Sequence, residues 1–472
     1  MRVRLKEIGR AMSLVTTEEG AAVKSICILG AGYVGGPTGA VLADRCPGVN
    51  VQVADVDAGR IGQWSQGPLP IHEPGLEVIV SRCRGRNLFF TTDLGTAIDG
   101  AEIVFICVPT PTKAHGKGAG MAADVSAIEQ ACREIKAHAR GYKIVVEKST
   151  VPCGTAASIA GLLQGDGAGA FDVLSNPEFM AEGTAIADLS EPDRVLIGAH
   201  PSGTSAAAQE RLVGVYAQWI PRERILPMSS WSAELGKLAA NAMLAQRISS
   251  MNALSGICEA VGADVEEVAL AVGRDRRIGG AFLRAGPGFG GSCFQKDLLS
   301  LVYLARTLHL DAVAEYWAQV LEINAWQQGR LVDMVVARMH GTVAGKRVAV
   351  LGVAFKPGTG DTRESPAIGV VAGLLREGAV VRVHDPVVPA KGIQRALGGA
   401  VEVCADAYAA CEGADGVVLC TGWEEFRALD YARIHGRMRR PASLFDACLL
   451  LDRAPLERLG FSVFGIGKGR GK

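Results

Sequence analysis

The sequence predicts an α/β protein in which two doubly wound parallel sheets are joined by a helical middle with a long helix. Three observations carry this. Short apolar, β-branched runs alternate with longer helical stretches from residue 24 onward, strand signals vanish between Trp231 and about Arg338, and the alternation restarts at Gly341. Runs apolar at nearly every position are what strands covered on both faces look like. Their alternation with helices makes the sheets parallel. With 472 residues the chain is too long for one ordinary core, which fits several domains.

The boundaries expected are an N-terminal extension at 1–22, an α/β domain at 23–228, a helical domain at 229–340, a second α/β domain at 341–465 and a flexible tail at 466–472. The extension carries Arg2, Arg4, Lys6 and Arg10, but Glu7, Glu18 and Glu19 argue against an organelle transit peptide, which avoids acids. In the first α/β domain, strands are expected at Ser25–Leu29, Val49–Ala54, Ile103–Val108, Lys143–Glu147 and Asp172–Leu174. The first runs into Gly30-Ala31-Gly32-Tyr33-Val34-Gly35, a G-x-G-x-x-G opening a helix. In that pattern the first glycine makes a tight turn, the second lets backbone amides approach a pyrophosphate, and the third lets helix and strand pack closely. The helix start adds free N–H groups and a positive dipole end. Asp55 ends the second strand twenty residues past Gly35, where a carboxylate accepts the ribose hydroxyls and repels the extra phosphate of NADP. The domain therefore reads as Rossmann-like with NAD as cofactor. Asp57 competes with Asp55 for that task, and Arg60 either flanks the adenine or is a solvated surface arginine.

In the middle, Lys296–Met339 lacks proline and is expected to form one helix of about forty residues, long enough to be shared between domains or subunits, with a kinked core helix as the plainer alternative. Just before it stands Phe289-Gly290-Gly291-Ser292-Cys293-Phe294-Gln295-Lys296-Asp297. Ser292 is read as the helix N-cap, which puts Cys293 in the first turn, where the dipole lowers a thiol's pKa. Asp297 lies one turn on, so a thiolate nucleophile would stand beside a possible base. By itself a cysteine among glycines is more often structural, and a helix face explains Asp297 equally well. Lys237 and Asn241 form a second i, i+4 pair on an otherwise apolar helix; a lysine there is costly unless used, although a surface position remains open. Glu178 and Glu182 follow the strand at Asp172–Leu174, at the carboxyl edge of the sheet, or they simply favour a helix N-terminus.

The second α/β domain has expected strands at Arg347–Leu351, Val380–His384, Gly416–Cys420 and Ser443–Phe445. Its first strand leads to Gly352-Val353-Ala354-Phe355-Lys356, which lacks the dinucleotide glycine pattern, so a second NAD is not expected. Lysine plus arginine and aspartate plus glutamate both total 49, so nothing global steers the chain to nucleic acid or to an anionic membrane. No apolar run approaches the ~20 residues that span a bilayer. The twelve cysteines show neither C-x-x-C pairs nor zinc spacing, so no metal is expected. Cys27, Cys107 and Cys420 sit inside strands as small hydrophobes, a pattern suited to the reducing cytoplasm.

Together these segments resemble the UDP-glucose 6-dehydrogenase family, its eukaryotic-type branch most closely. The likeness runs from about Ile26 to Ile466. It includes Pro68-Leu69-Pro70-Ile71-His72-Glu73-Pro74-Gly75-Leu76, Glu147-Lys148-Ser149-Thr150-Val151-Pro152, Ser175 through Thr184, Lys237-Leu238-Ala239-Ala240-Asn241, Leu244 through Ser250, Gly288 to Asp297 and Phe355-Lys356.

The resemblance implies a UDP-glucose substrate, oxidised twice by NAD to UDP-glucuronate. Cys293 is similar to the nucleophile that captures the C6 aldehyde and becomes a thioester. Lys237 and Asp297 match the pair that handles protons, Asn241 a neutral donor to the oxyanion, Thr150 a hydroxyl that positions water, and Glu178 an acid that assists hydrolysis. NAD contacts are implied for Gly30, Gly32, Tyr33, Val34, Gly35, Asp55, Arg60, Val108, Thr110, Pro111, Thr112, Ser149, Thr150, Glu182, Lys296 and Arg363. Substrate contacts are implied for Glu178, Phe179, Met180, Glu182, Lys237, Asn241, Arg277, Phe282, Arg284, Gly286, Gly288, Phe289, Gly290, Phe355 and Lys356, with Lys356 and the helix after Gly358-Thr359-Gly360-Asp361 cradling the pyrophosphate. A homodimer through the central helices is implied, and some members assemble further into hexamers. Two departures stand out: the family's Asp-Gly-Arg reads Asp446-Ala447-Cys448 here, and its Val-Asn-Thr-Pro reads Val108-Pro109-Thr110-Pro111. Competing readings are a sibling dehydrogenase for another nucleotide sugar, a one-step β-hydroxyacid dehydrogenase, and a silent sensor of UDP-sugars or NAD.

Overall fold

A computed structural model describes residues 22–164, 169–200 and 205–469, so the expected extension at 1–22 lies outside the described residues through residue 21. The chain divides after Leu238 into two compact units.

The first unit is built on an eight-stranded sheet: β1 (Ser25–Leu29), β2 (Asn50–Ala54), β3 (Leu88–Thr91), β4 (Ile103–Ile106), β5 (Gly141–Glu147), β6 (Gly169–Ser175), β7 (Val195–Ala199) and β8 (Ile225–Ser229). They lie in the order β3-β2-β1-β4-β5-β6-β7-β8. The first six are parallel in the 3-2-1-4-5-6 order of dinucleotide-binding sheets, while β7 meets β6 antiparallel and β8 follows β7. Successive side chains point to opposite faces, and both faces are covered. Ile26 and Ile28 join Val41, Trp64 and Leu76 on one side; Cys27 and Leu29 join Ile98, Ile128 and Ile135 on the other. That double covering is why these strands read as unbroken apolar runs.

The second unit holds most of the helix Ser230–Val261, the helices Phe294–Thr307 and Asp311–Arg338, and a six-stranded sheet. Its strands are β9 (Arg347–Leu351), β10 (Val380–His384), β11 (Glu402–Val403), β12 (Gly416–Leu419), β13 (Ser443–Asp446) and β14 (Ser462–Gly465). All are parallel, in the order β11-β10-β9-β12-β13-β14. Leu331, Val332 and Val335 of the last long helix share one core with Val348 and Val350 of β9, so the central helices and this sheet form one body.

Two expectations are corrected. The single helix across Lys296–Met339 is two helices broken at residues 308–310, and the longest helix is Ser230–Val261. His309 takes a left-handed backbone (φ 58°), Leu308 N–H closes on Leu304 O at 3.1 Å, and Leu310 N–H closes on Ala305 O at 2.9 Å. Histidine is among the residues that tolerate this conformation, and Asp311 then opens the next helix in its favoured first turn. Folding back buries Leu298, Leu301 and Val320 with Ala242, Ala245 and Phe289, at ~1.5–3 kcal/mol for each large side chain; a straight rod would forgo part of this. The flexible tail expected from residue 466 is instead held through Gly469. Ile466 is buried, Gly467 N–H donates to Glu259 at 2.7 Å, Lys468 Nζ reaches Asp264 at 2.8 Å, and Gly469 N–H donates to Ala263 O at 2.9 Å. Residues 470–472 lie outside the described residues.

Candidate active site

In the first unit the chain turns sharply as β1 ends. Gly30 has φ +104°, and a Cβ there would stand 2.4 Å from Cys107 O; one on Gly35 would stand 1.8 Å from Gly30 O. Both glycines are therefore required by close approach. Gly32 differs: a Cβ on it would meet nothing within 4 Å, so its backbone faces open space at the start of the helix Gly35–Arg45. That cradle fits a dinucleotide diphosphate. Asp55 is buried, accepting Ala31 N–H at 2.7 Å and Arg60 Nη1 at 3.0 Å. Asp57 is used otherwise, capping the helix Ala58–Gln66 by accepting Arg60 N–H at 3.0 Å. Asp57 is thus engaged at its own helix start, while Asp55 lies buried beside the glycine turn.

At the ends of β4 and β5, Ser149 Oγ donates to Val108 O at 2.7 Å and Thr110 Oγ1 to Thr150 O at 2.8 Å. Pro111 is exposed, and Thr112 bridges to Ala123. Beyond β6, Glu178 is buried. Its carboxylate receives Met180 N–H at 2.7 Å and Thr150 Oγ1 at 3.5 Å, and it pairs with Lys237 Nζ at 3.3 Å. Lys237 is 3% exposed and also lies 5.1 Å from the centre of the Phe179 ring, whose face Arg194 covers at 3.9 Å. A buried lysine needs such partners, since leaving one charge unpaired costs several kcal/mol. Glu182 lies half-buried farther along the same loop.

The helix Ser230–Val261 carries Lys237 and, one turn on, Asn241. In the second unit, Asn241 Nδ2 donates to Asp297 Oδ2 at 2.6 Å. Asp297 is 0% exposed, and Lys296 Nζ stands 3.0 Å from Oδ1 in an ion-pair contact lacking hydrogen-bond direction. Cys293, not Ser292, occupies the N-cap of the helix Phe294–Thr307. This is a correction, because the backbone turns helical one residue later than expected. Cys293 O accepts the first helical bond, from Asp297 N–H at 2.9 Å, and its thiol lies 3.6 Å from Ser292 Oγ, half-buried at the positive end of the helix. Elsewhere burial pushes the Cys107 and Cys420 thiols up to about 12, which fits inert core cysteines. All twelve cysteines are free.

The glycine loop before Cys293 is tied down at both ends. Phe289 N–H donates to Asn324 Oδ1 at 2.8 Å and Phe289 O accepts from Asn324 Nδ2 at 3.0 Å, and Gly291 N–H donates to Arg363 O at 2.9 Å. A Cβ on Gly290 would lie 2.4 Å from Glu364 O, so this loop packs on the Phe355–Glu364 segment. Gly286 is held between Asn252 (2.9 Å) and Gln327 (2.7 Å), and Gly288 has φ +134°. Lys356 Nζ lies 5.6 Å from the centre of the Phe355 ring. The helix expected right after Asp361 begins later, at Pro366, because the loop closes on itself through Phe355 N–H to Asp361 O at 3.0 Å. Arg363 pairs with Asp361 and Arg277 with Asp275, each at 2.6 Å, both arginines exposed. Phe282 is exposed with φ 61°, and Arg284 Nη2 donates to Cys448 O (2.8 Å) and Leu449 O (2.9 Å).

Sequence reasoning assigned nothing to Asn252, Asn324 and Gln327, which hold the loop. Their signal was present: Asn324 and Gln327 are polar residues at i, i+3 in a helix, and both are buried. Glu234 was likewise passed over. It is 2% exposed and accepts N–H groups of Gly154 (2.5 Å) and Ala156 (2.7 Å).

A 3-2-1-4-5-6 sheet with an open glycine turn and a buried acid after its second strand defines a dinucleotide-binding protein. Comparison with known proteins narrows this. Models of the UDP-glucose/GDP-mannose dehydrogenase family match the chain as its NAD binding domain over residues 24–220, its central domain over 231–326 and its UDP binding domain over 349–453. UDP-glucose 6-dehydrogenase 1 of Oryza sativa subsp. japonica is 54% identical over 466 residues, covering 94% of this chain and 97% of its own. The UDP-glucose 6-dehydrogenase of Gallus gallus is 50% identical over 461 residues, covering 94% and 93%. A solved UDP-glucose dehydrogenase from Pyrobaculum islandicum superposes with a TM-score of 0.81 at 33% identity, over 96% of this chain and 100% of that one. The chain belongs to the UDP-glucose/GDP-mannose dehydrogenase family, whose cofactor is NAD.

Proposed function

We propose that the protein oxidises the C6 alcohol of UDP-glucose to the carboxylate of UDP-glucuronate in two successive two-electron steps, with a thioester on Cys293 between them. The observation that carries this is Cys293 at a helix N-terminus with buried Asp297 one turn on. A one-step alcohol dehydrogenase has no need of that thiol. NAD, when bound, supplies the acceptor for each of the two hydrides. Its diphosphate is assigned to the turn Gly30–Gly35 and its ribose to Asp55, with Arg60, Val108, Thr110 and Ser149 completing the cradle.

Lys237 and Asp297 hold and move protons at the C6 oxygen. The thiolate of Cys293 adds to the aldehyde carbon, and the resulting oxyanion is neutralised by the Lys237 ammonium and the Asn241 amide. Loss of the second hydride leaves the thioester. Water, placed by Thr150 and activated next to Glu178, adds to the thioester carbonyl, so the C–S bond breaks and the thiol is regenerated. The fixed partners of Glu178 and Asp297 support these roles, because reacting groups must be held in place before the substrate arrives. Phe282, Arg284, Gly286, Phe289 and Lys356 are assigned to the UDP half.

We assign residues 23–228 to the cofactor, 229–340 to catalysis and pairing, and 341–465 to UDP. A homodimer is supported by Met243, Ile257 and Val261 on one long helix and Tyr316 and Trp326 on another, all large apolar side chains left exposed. A cytoplasmic site is supported by twelve free cysteines, and no helix among the described residues is long and apolar enough to cross a membrane.

The test is the count of NADH formed per UDP-glucose consumed. Two are expected, with little turnover of UDP-N-acetyl sugars or GDP-mannose. One would mean that the aldehyde escapes and the thiol plays no part. Cys293→Ala should abolish acid formation, a loss of at least about 10³-fold.

A further inference from the structure

The segment Pro68–Leu76 has no task in this reaction, yet it sends one carboxylate into the first unit. Glu73 is 5% exposed and accepts three hydrogen bonds: from the Tyr33 hydroxyl, from Gly183 N–H at 2.7 Å and from Ala185 N–H at 3.0 Å. Tyr33 stands between the second and third glycines of the dinucleotide turn, and its hydroxyl also lies 3.4 Å from Ala181 O. Gly183 and Ala185 close the loop that carries Glu178 and Glu182. The same loop is braced locally as well, since Asp188 takes Ala181 N–H at 2.9 Å and the Thr184 hydroxyl at 2.8 Å. Glu73 is therefore not needed merely to end that loop. What it adds is a bond to the cofactor turn.

We infer that Glu73 is a positioning residue that couples the dinucleotide turn to the Glu178–Glu182 loop, so that NAD and the nucleotide sugar bind interdependently through the Tyr33–Glu73 hydrogen bond. The inference rests on the turn holding NAD and on the loop serving the substrate. A dinucleotide lying along Gly32 restrains Tyr33, whose hydroxyl passes that restraint to the Glu73 carboxylate and, at 3.4 Å, to Ala181 O of the same loop. The donor is dependable: burial, then the bond to Glu73, then the charges of Glu73, Glu182 and Glu178 hold the Tyr33 hydroxyl protonated far above neutral pH. Coupling of this kind is reciprocal, and factors of roughly 5–150 are typical.

Two measurements test it on the full-length protein. Hydrogen exchange of the peptide covering residues 178–186 should slow on adding NADH in wild type, by about fivefold or more, and should not respond in Tyr33→Phe. Calorimetric titration should show UDP-glucose binding at least about fivefold tighter with NADH present, NADH gaining the same factor from UDP-glucose, with both factors below about twofold in Tyr33→Phe and Glu73→Gln. A brace that only stabilises the fold would lower the melting temperature of the variants and leave the factor intact, which would overturn the inference. So would an absence of coupling in wild type. If Glu73→Gln fails to fold, Tyr33→Phe, which deletes one oxygen, decides. Should UDP-glucose not bind while NADH does, the substrate reading falls, and the exchange experiment still decides the link.

Discussion

The two sheets of this protein share one plan, yet only one of their turns fits a dinucleotide. In both, the strand order is 3-2-1-4-5-6. Gly30 N–H bonds Ala54 O at 2.8 Å, and Gly352 N–H bonds His384 O at 2.8 Å. Both glycines have positive φ, and each leaves no room for a Cβ against the fourth strand's exit, at Cys107 O in one and Thr421 in the other. A buried aspartate follows the second strand in each case, Asp55 receiving Ala31 N–H and Asp385 receiving Val353 N–H, both at 2.7 Å. The difference begins two residues past the glycine. Gly32 faces open space, whereas Ala354 fills its place with a buried methyl group, and its backbone carbonyl accepts from the Thr421 hydroxyl at 2.6 Å. The first helix starts at Gly35, but its counterpart waits until Pro366. Strand order alone therefore says little about the ligand; two small residues and a loop length decide it.

The sharpest way to break the comparison is to give the first turn side chains. Gly35→Ala places a Cβ 1.8 Å from Gly30 O, and the helix must move off the strand. A loss of about 3 kcal/mol or more is expected, together with NADH binding, read by thermal melting and cofactor fluorescence. Gly32→Ala meets nothing within 4 Å, so its melting temperature should stay at the wild-type value while NADH affinity falls by more than about tenfold. If both variants behaved alike, the division between a packing glycine and a ligand glycine would be wrong.

The aspartates provide a second, smaller contrast. Asp385 is filled mainly by backbone: Val353 and Ala354 N–H on one oxygen, at 2.7 and 3.0 Å, joined there by the Trp423 indole N–H at 3.3 Å, and Val387 and Val388 N–H on the other, both at 2.9 Å. Asp385→Asn turns one acceptor into a donor facing two donors, so about 2–3 kcal/mol of stability should be lost in chemical denaturation. Asp55 takes one of its bonds from the flexible Arg60 side chain, which can retreat. Asp55→Asn should cost about 1 kcal/mol and instead narrow the preference for NADH over NADPH by about tenfold, equivalent to ~1.4 kcal/mol.

Much of this was legible in the chain itself. The apolar runs of β1, β4, β9 and β12 are visible because both sheet faces are covered, and the turn at Gly30 is visible because its chemistry is local. What escaped was non-local. Nothing in Leu308-His309-Leu310 announces a helix break without knowing that Leu298 and Val320 must meet. The hold on Gly467 and Lys468 depends on Glu259 and Asp264, some two hundred positions away. At the site, reactive residue types stood out, while the residues that fix them did not. Glu73, Asn324 and Gln327 look ordinary in sequence because their partners are mostly backbone atoms.

A last contrast concerns the exit of β13, where Asp446 stands in the stretch that departs from the family pattern. It is buried and accepts N–H groups of Cys448 at 3.1 Å and of Leu450 and Leu451 at 2.7 Å each. Burial pushes its carboxyl above the usual carboxylate range; the bonds from Leu451, Leu450 and Cys448 and the charge of Arg284 pull the other way without overcoming it. A folded-state pKa above the unfolded one means that the native protein binds the proton more tightly. The group's contribution to stability is then fully present below the unfolded pKa and is lost as pH rises through the folded one. The amide of Asp446→Asn does not titrate. The stability difference, wild type minus variant, should therefore be largest near pH 4 and shrink toward pH 7, the smallest of these effects. Melting curves of both proteins across that range would show it. A gap that widens as pH rises would mean that the three N–H groups and Arg284 outweigh burial, making Asp446 a carboxylate of the same kind as a salt-bridged surface aspartate.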